Sequence, residues 1–133
     1  MPRRRNKSEP LRVLIADDHR LFAEALQAIL ATDERIEVVG QASDGSEAVE
    51  LARTLGPDVV LMDVSMPVLD GFEATREIRA ETEKVRVLML TGSNSRADVD
   101  RSRKAGASGY VTKDRIASEL IASIVEVTRR RLP

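Results

Sequence analysis

Several short apolar runs end in residues that could do chemistry together. Leu11–Ala16 is followed by Asp17 and Asp18, Val59–Met62 by Asp63, Val85–Leu90 by Thr91, and Ser108–Thr112 by Lys113. Three carboxylates at close quarters repel and raise each other's pKa. A hard dication relieves this: Mg²⁺ (or Mn²⁺) prefers oxygen ligands, takes one or two carboxylates, and keeps waters and a phosphate oxygen. Asp63, ending a central strand on a loop, is then the best nucleophile, since carboxylates accept phosphoryl groups as aspartyl phosphates. Phosphoryl transfer is mostly positioning plus charge neutralisation. The metal would bridge one phosphoryl oxygen, the Lys113 ammonium would pair with a second, and the Thr91 hydroxyl would bond a third. Gly92, directly after Thr91, leaves the group room. Singly, each residue has a plainer reading: Asp17 or Asp18 as a helix cap, Asp63 as a loop carboxylate, Thr91 as a cap, Lys113 as a solvated charge. Their joint placement favours the shared site. His19 reads as a surface residue at a helix start, and Tyr110 as a half-buried strand aromatic.

These residues need a scaffold that brings strand ends together, and the hydrophobic pattern supplies one. After the run Leu11–Ala16, apolar residues Leu21, Phe22, Ala25, Leu26, Ile29 and Leu30 recur at helical spacing. Ile36–Ala42 reads as a second strand. The cluster Ser43-Asp44-Gly45-Ser46 then opens a helix with Ala48, Leu51, Ala52 and Leu55 on one face, stopped by Gly56-Pro57. Val59–Met62 is continuously apolar, as in a strand buried on both faces. Met66-Pro67 and Asp70-Gly71 mark a loop, and Phe72–Ala80 a helix with Phe72, Thr75, Ile78 and Arg79 at helical steps. Val85–Leu90 is the fourth strand. The helix spanning 95–105 has a thin apolar face, Ala97, Val99 and Ala105, and carries Arg96, Arg101, Arg103 and Lys104; so narrow a stripe predicts a mobile or irregular helix. Ser108–Thr112 is a fifth strand, and 116–128 a last helix with Ile116, Leu120, Ile124 and Val127 aligned. Alternating strands and helices imply a parallel sheet covered on both faces. With right-handed crossovers the expected fold is an α/β, doubly wound, flavodoxin-like (βα)₅ domain of strand order 2-1-3-4-5. In such sheets ligands bind beyond the carboxyl ends of the strands, where all the reactive residues lie.

Composition narrows the function classes. The 133 residues are 42% hydrophobic and 32% charged, enough apolar material for one globular core. The absence of cysteine excludes disulfides, Cys-based zinc sites and thiol nucleophiles, and a single histidine excludes a multi-histidine metal site. With only Phe22, Phe72 and Tyr110 as aromatics, a base-stacking platform is not expected. No apolar run approaches the ~20 residues of a membrane span, and the basic start lacks the apolar stretch of a secretory signal, so a cytoplasmic location without membrane contact is expected. Residues 1–10 carry four basic side chains against one acidic, Arg129–Arg131 add three more, and the stretch 11–128 holds 14 basic and 21 acidic groups. An acidic body of net −7 is a poor surface for DNA; the basic ends read as solubilising tails or linker starts.

The stretches LIADDHRLF (14–22), VVLMDVSMPVLDGFEA (59–74), VLMLTG (87–92) and AGASGYVTKD (105–114) together resemble the response-regulator receiver domain of two-component signalling, over about residues 11–128. ADDH and AGASGYVTKD resemble most the NarL/FixJ subfamily. The resemblance implies Asp63 as phosphoacceptor and Asp17 and Asp18 as the acidic pair, with Asp18 the more direct Mg²⁺ ligand. It also implies the Ser65 main-chain carbonyl as a further ligand, Thr91 and Lys113 as switch hydroxyl and phosphate-binding lysine, and Tyr110 as switch aromatic. It implies a sensor histidine kinase as donor, slow self-dephosphorylation, a surface of the fourth helix, fifth strand and fifth helix that changes on phosphorylation, and a possible homodimer in that state. Subfamily members usually carry a C-terminal helix-turn-helix, so residues 1–10 are expected to be a basic tail, 129–133 the start of a linker to an effector, and DNA a partner only through that effector. A stand-alone receiver is the alternative. A Mg²⁺-dependent phosphohydrolase would need an acid two residues after Asp63, where Ser65 stands. A flavin or nucleotide carrier would need a phosphate-cradling loop after the first strand, where Asp17-Asp18-His19-Arg20 stands. A pseudo-receiver acting only as an interaction module is disfavoured because the phosphorylation residues are all present.

Overall fold

The structure is a computed structural model and describes residues 9–129. Residues 1–8 and 130–133, which hold most of the basic tail and of the expected linker start, lie outside the described residues. Five strands, β1 (Leu11–Ala16), β2 (Ile36–Ala42), β3 (Val59–Asp63), β4 (Arg86–Thr91) and β5 (Gly109–Thr112), form one parallel sheet in the order β2-β1-β3-β4-β5. Helices α1 (Arg20–Leu30), α2 (Gly45–Leu55), α3 (Gly71–Glu81), α4 (Arg96–Ala105) and α5 (Ile116–Arg129) alternate with them, and a 3₁₀ turn at Lys113–Arg115 precedes α5. The expected doubly wound topology is the observed one.

Strand alternation splits the core in two. Val60 and Met62 of β3 face α2, α3 and α4; Val59 and Leu61 face α1 and α5. Every residue of β3 is buried, as its unbroken apolar run demands. The starts of α2, α3 and α4 are set by side-chain caps. Asp44 accepts from the Glu47 N–H, Asp70 from the Glu73 N–H, and Ser95 from the Asp98 N–H.

Two helices differ from the reading of their periodicity. In α1 the buried positions are Ala23, Leu26 and Leu30, whereas Leu21 is 81% exposed and Ala25 is exposed too. The fourth helix, expected to be mobile or irregular, is a regular ten-residue helix. Ala97 does not contribute to its inner face, which is built from Ser102 and Ala105. The Ser102 hydroxyl donates to the Asp98 carbonyl, so this polar residue is buried with its donor satisfied. The Ser95 cap, Gly106 in the left-handed region (φ 103°) and the Arg101 guanidinium 4.0 Å from the Phe72 ring centroid supply what the thin stripe lacks.

Candidate functional site

Sheet register alone brings the reactive residues into one row. Ala16 pairs with Met62, so Asp17 leaves β1 beside Asp63. Asp63 pairs with Leu90, one residue before Thr91, and Thr91 pairs with Thr112, one residue before Lys113. All stand at the carboxyl edge, where in the order 2-1-3-4-5 the helices that follow the neighbouring strands β1 and β3 lie on opposite faces and leave a crevice between those strands.

The side chains converge within that row. One ligand atom each from Asp17, Asp18, His19 and Asp63 lie within 4.8 Å of one another. Asp17 and Asp63 are buried, at 4% and 1% exposure, and Asp18 and His19 are exposed. The Lys113 ammonium lies 3.0 Å from Asp63 Oδ1 and 5.0 Å from the centre of the Phe22 ring, so α1 also helps to place it. The His19 main-chain N–H donates to Asp17 Oδ1 at 2.7 Å. The second oxygens, Asp17 Oδ2 and Asp63 Oδ2, are buried without a hydrogen-bond partner. An uncompensated buried carboxylate oxygen is costly. Burial holds the Asp17 carboxyl above its usual range; the His19 N–H pulls it down, the Asp63 charge pushes it up, and Lys113 pulls it down again. Three carboxylates against one ammonium leave the pocket at −2, the charge a single dication cancels. Two unsatisfied oxygens and a surplus of negative charge are the donor set of an oxygen-preferring metal.

A tight loop closes the pocket from the α3 side. The Val64 N–H donates to the Leu90 carbonyl, and the Gly71 N–H returns to the Val64 carbonyl at 2.8 Å. A Cβ on Gly71 would lie 2.3 Å from the Asp63 carbonyl oxygen, so only glycine lets α3 begin against the end of β3. Ser65 is exposed in this loop. Val68, three residues on, sits at φ 69° with Leu69 N–H bonded to the Pro67 carbonyl, an unfavourable backbone for a β-branched residue.

The residues singled out from sequence differ in their side-chain partners. Asp17, Asp18, Asp63 and Lys113 meet. The Thr91 hydroxyl is engaged in its own turn, donating to the Ser93 carbonyl and accepting from the Ser93 N–H. A Cβ on the following Gly92 would have nothing within 4 Å. Tyr110 is 40% exposed on β5, beside a cleft of about 370 Å³ that α4 lines with Val99, Ser102 and Arg103. Sequence reasoning set His19 aside and gave Gly71 no site role. The signal for both was adjacency: His19 directly follows the acid pair, and Gly71 follows the capping Asp70.

The family model of the response regulator receiver domain matches residues 13–125. The chain belongs to the receiver-domain family. Among relatives, it is 40% identical over 119 residues to the transcriptional regulatory protein DegU of Brevibacillus brevis, covering 90% of this chain and 50% of that one. It is 41% identical over 117 residues to the response regulator UvrY of Escherichia coli, covering 88% and 54%. The signal receiver domain of the putative response regulator NarL from Mycobacterium tuberculosis superposes with a TM-score of 0.88 at 33% identity, covering 92% of this receiver and 99% of that one. This receiver spans about half the length of DegU and UvrY. These are response regulators of the NarL/FixJ type rather than metabolic enzymes. No helix among the described residues is long and apolar enough to cross a membrane.

Proposed function

We propose that Asp63 accepts a phosphoryl group from the phosphohistidine of a sensor histidine kinase and that the domain reports its phosphorylation to a partner surface. The observation that carries this is Asp63 itself: buried, with one oxygen paired to Lys113 and the other unpaired beside Asp17 and Asp18. The unpaired oxygen attacks phosphorus, the P–N bond breaks, and its electron pair leaves on the imidazole nitrogen. Asp17, Asp18, Asp63 and the Ser65 main-chain carbonyl would hold Mg²⁺ or Mn²⁺, whose charge offsets that of the phosphoryl oxygens. Lys113 moves its ammonium from the carboxylate to a phosphoryl oxygen. Thr91 exchanges its turn with Ser93 for a hydrogen bond to another, and Gly92 gives the group space. Water attack on the acyl phosphate later resets the switch; metal-assisted self-phosphorylation and this slow self-dephosphorylation are the only catalysis of the domain.

The output follows from the same displacement. As Thr91 moves, Tyr110 turns inward and the surface of α4, β5 and α5 changes, which a second copy or another domain reads. The transcriptional names of relatives such as DegU support a DNA-binding effector as the reader, acting in the cytoplasm; a stand-alone receiver is the alternative.

Acetyl phosphate with Mg²⁺ tests the acceptor. Intact mass should rise by one phosphoryl group, and Asp63→Asn should abolish the rise. Equal labelling of the substituted protein overturns the assignment.

A further inference from the structure

The acid pocket contains one group that the phosphoryl chemistry above leaves idle. His19 Nδ1 lies 3.4 Å from Asp18 Oδ1 and 3.6 Å from Asp17 Oδ1. One of the His19 ring nitrogens also lies within 4.8 Å of a carboxylate oxygen of Asp63. Donor atoms about 2.1 Å from one octahedral ion are separated by about 3.0 Å along an edge and about 4.2 Å across the centre. The two His19 separations fall between these limits. A second, independent observation belongs to the same cluster: Asp17 Oδ2 and Asp63 Oδ2, on side chains more than nine-tenths buried, lack a hydrogen-bond partner.

The position of His19 is built rather than incidental. Its residue is the N-cap of α1, with extended backbone (φ −92°, ψ 103°), and makes no side-chain capping bond. Its N–H is instead tied to Asp17. That bond fixes the main chain at the rim of the pocket, while the ring, 70% exposed, stands with Nδ1 facing both acids.

We propose that His19 supplies a nitrogen ligand to the divalent-cation site, so that the site discriminates among divalent ions. With oxygen donors alone, a pocket of this charge suits Mg²⁺. Adding an imidazole favours ions that accept nitrogen, such as Co²⁺ and Zn²⁺, over Mg²⁺, which takes nitrogen poorly. The receiver would then be loaded according to which divalent ion is available. This rests on the metal-assisted reading of Asp63 and adds a ligand and a selectivity to it.

The test compares the wild-type protein with His19→Ala by calorimetric titration of Mg²⁺ and, separately, Co²⁺. Because His19 is exposed, the variant should fold normally, and its far-UV spectrum and melting confirm that. The expected result is a Co²⁺ affinity weakened about tenfold or more, a loss comparable to that seen when metal-site partners are removed, with Mg²⁺ affinity within about twofold of wild type. Co²⁺ should also shift the His19 ring protons paramagnetically in the wild-type NMR spectrum. A Co²⁺-to-Mg²⁺ affinity ratio unchanged by the substitution overturns the proposal while leaving the Asp63 reading standing. Failure of Co²⁺ alone to bind the wild type overturns this proposal, and failure of both ions overturns the metal-assisted reading of Asp63 as well.

Discussion

The two ends of the sheet's active edge are built to different standards. At the centre, β3 buries all five of its residues, and α3 buries Gly71, Phe72, Ala74, Thr75 and Ile78. At the border, β5 buries only Val111, and α4 only Ser102 and Ala105. Asp63 therefore stands on a rigid strand, whereas Tyr110 and α4 sit on a margin with little apolar area to hold them. A phosphoryl acceptor needs fixed geometry, and an element that must rearrange is drawn from the less stable part of a fold. On the proposed reading the two requirements fall on β3 and β5, which are joined through β4 between them, at whose end Thr91 stands.

Core truncation gives the largest expected difference. Leu61 of β3 is fully buried, so Leu61→Ala should cost about 2–5 kcal/mol in urea unfolding. Val99 of α4 is only half-buried, and Val99→Ala should cost less than about 1 kcal/mol. Equal costs would mean that the margin is packed as tightly as the centre.

Much of this was legible in the chain before any coordinates. Parallel order, strand ends and the convergence of Asp17, Asp18, Asp63 and Lys113 follow from apolar runs of the right length, each stopping at a chemically distinct residue. What escaped the pattern depends on contacts between distant segments. Periodicity assigned Leu21 to the inner face of α1, yet the helix begins at Arg20 and turns Leu21 outward. The α4 stripe looked too thin because a hydropathy pattern counts Ser102 as polar, while its hydroxyl satisfies itself on the preceding turn. The role of Gly71 lies in a Cβ that is not there, and only the approach of the Asp63 carbonyl reveals it.

The acidic pocket should show a smaller effect with a sign opposite to that of core truncation. The Asp17 carboxyl is raised above its usual range by burial. A group whose folded-state pKa is raised favours folding below its unfolded pKa, and that contribution is lost as pH rises through the folded value. At neutral pH, without divalent ions, ionised Asp17 therefore opposes folding. Asp17→Asn should melt about 3 °C higher than wild type at pH 7 in chelator. The gap should close as pH falls below the carboxylate range, where wild-type Asp17 is protonated as well. Mg²⁺ should stabilise the wild type more than the variant. A variant that melts lower than wild type at pH 7 in chelator would show that Asp17 contributes more through its bond from His19 than its buried charge costs.

The smallest expected effect probes how the margin is held at all. Arg101 lies over the Phe72 ring, joining α4 to the first turn of α3. An exposed cation–π contact is worth about 0.5–1 kcal/mol, so Arg101→Ala should lower global stability by roughly that amount. The loss should be uneven. Amide exchange in α4 reports local opening as well as global unfolding, whereas exchange in β3 reports only the latter. Removing the contact should therefore reduce protection across 96–105 by more than it reduces protection across 59–63. Because Phe72 is anchored in the core at 4% exposure, the ring itself should not move, and the change belongs to α4 alone. If protection falls equally in both segments, α4 is part of the same cooperative unit as β3, and the margin switches only when the centre itself rearranges.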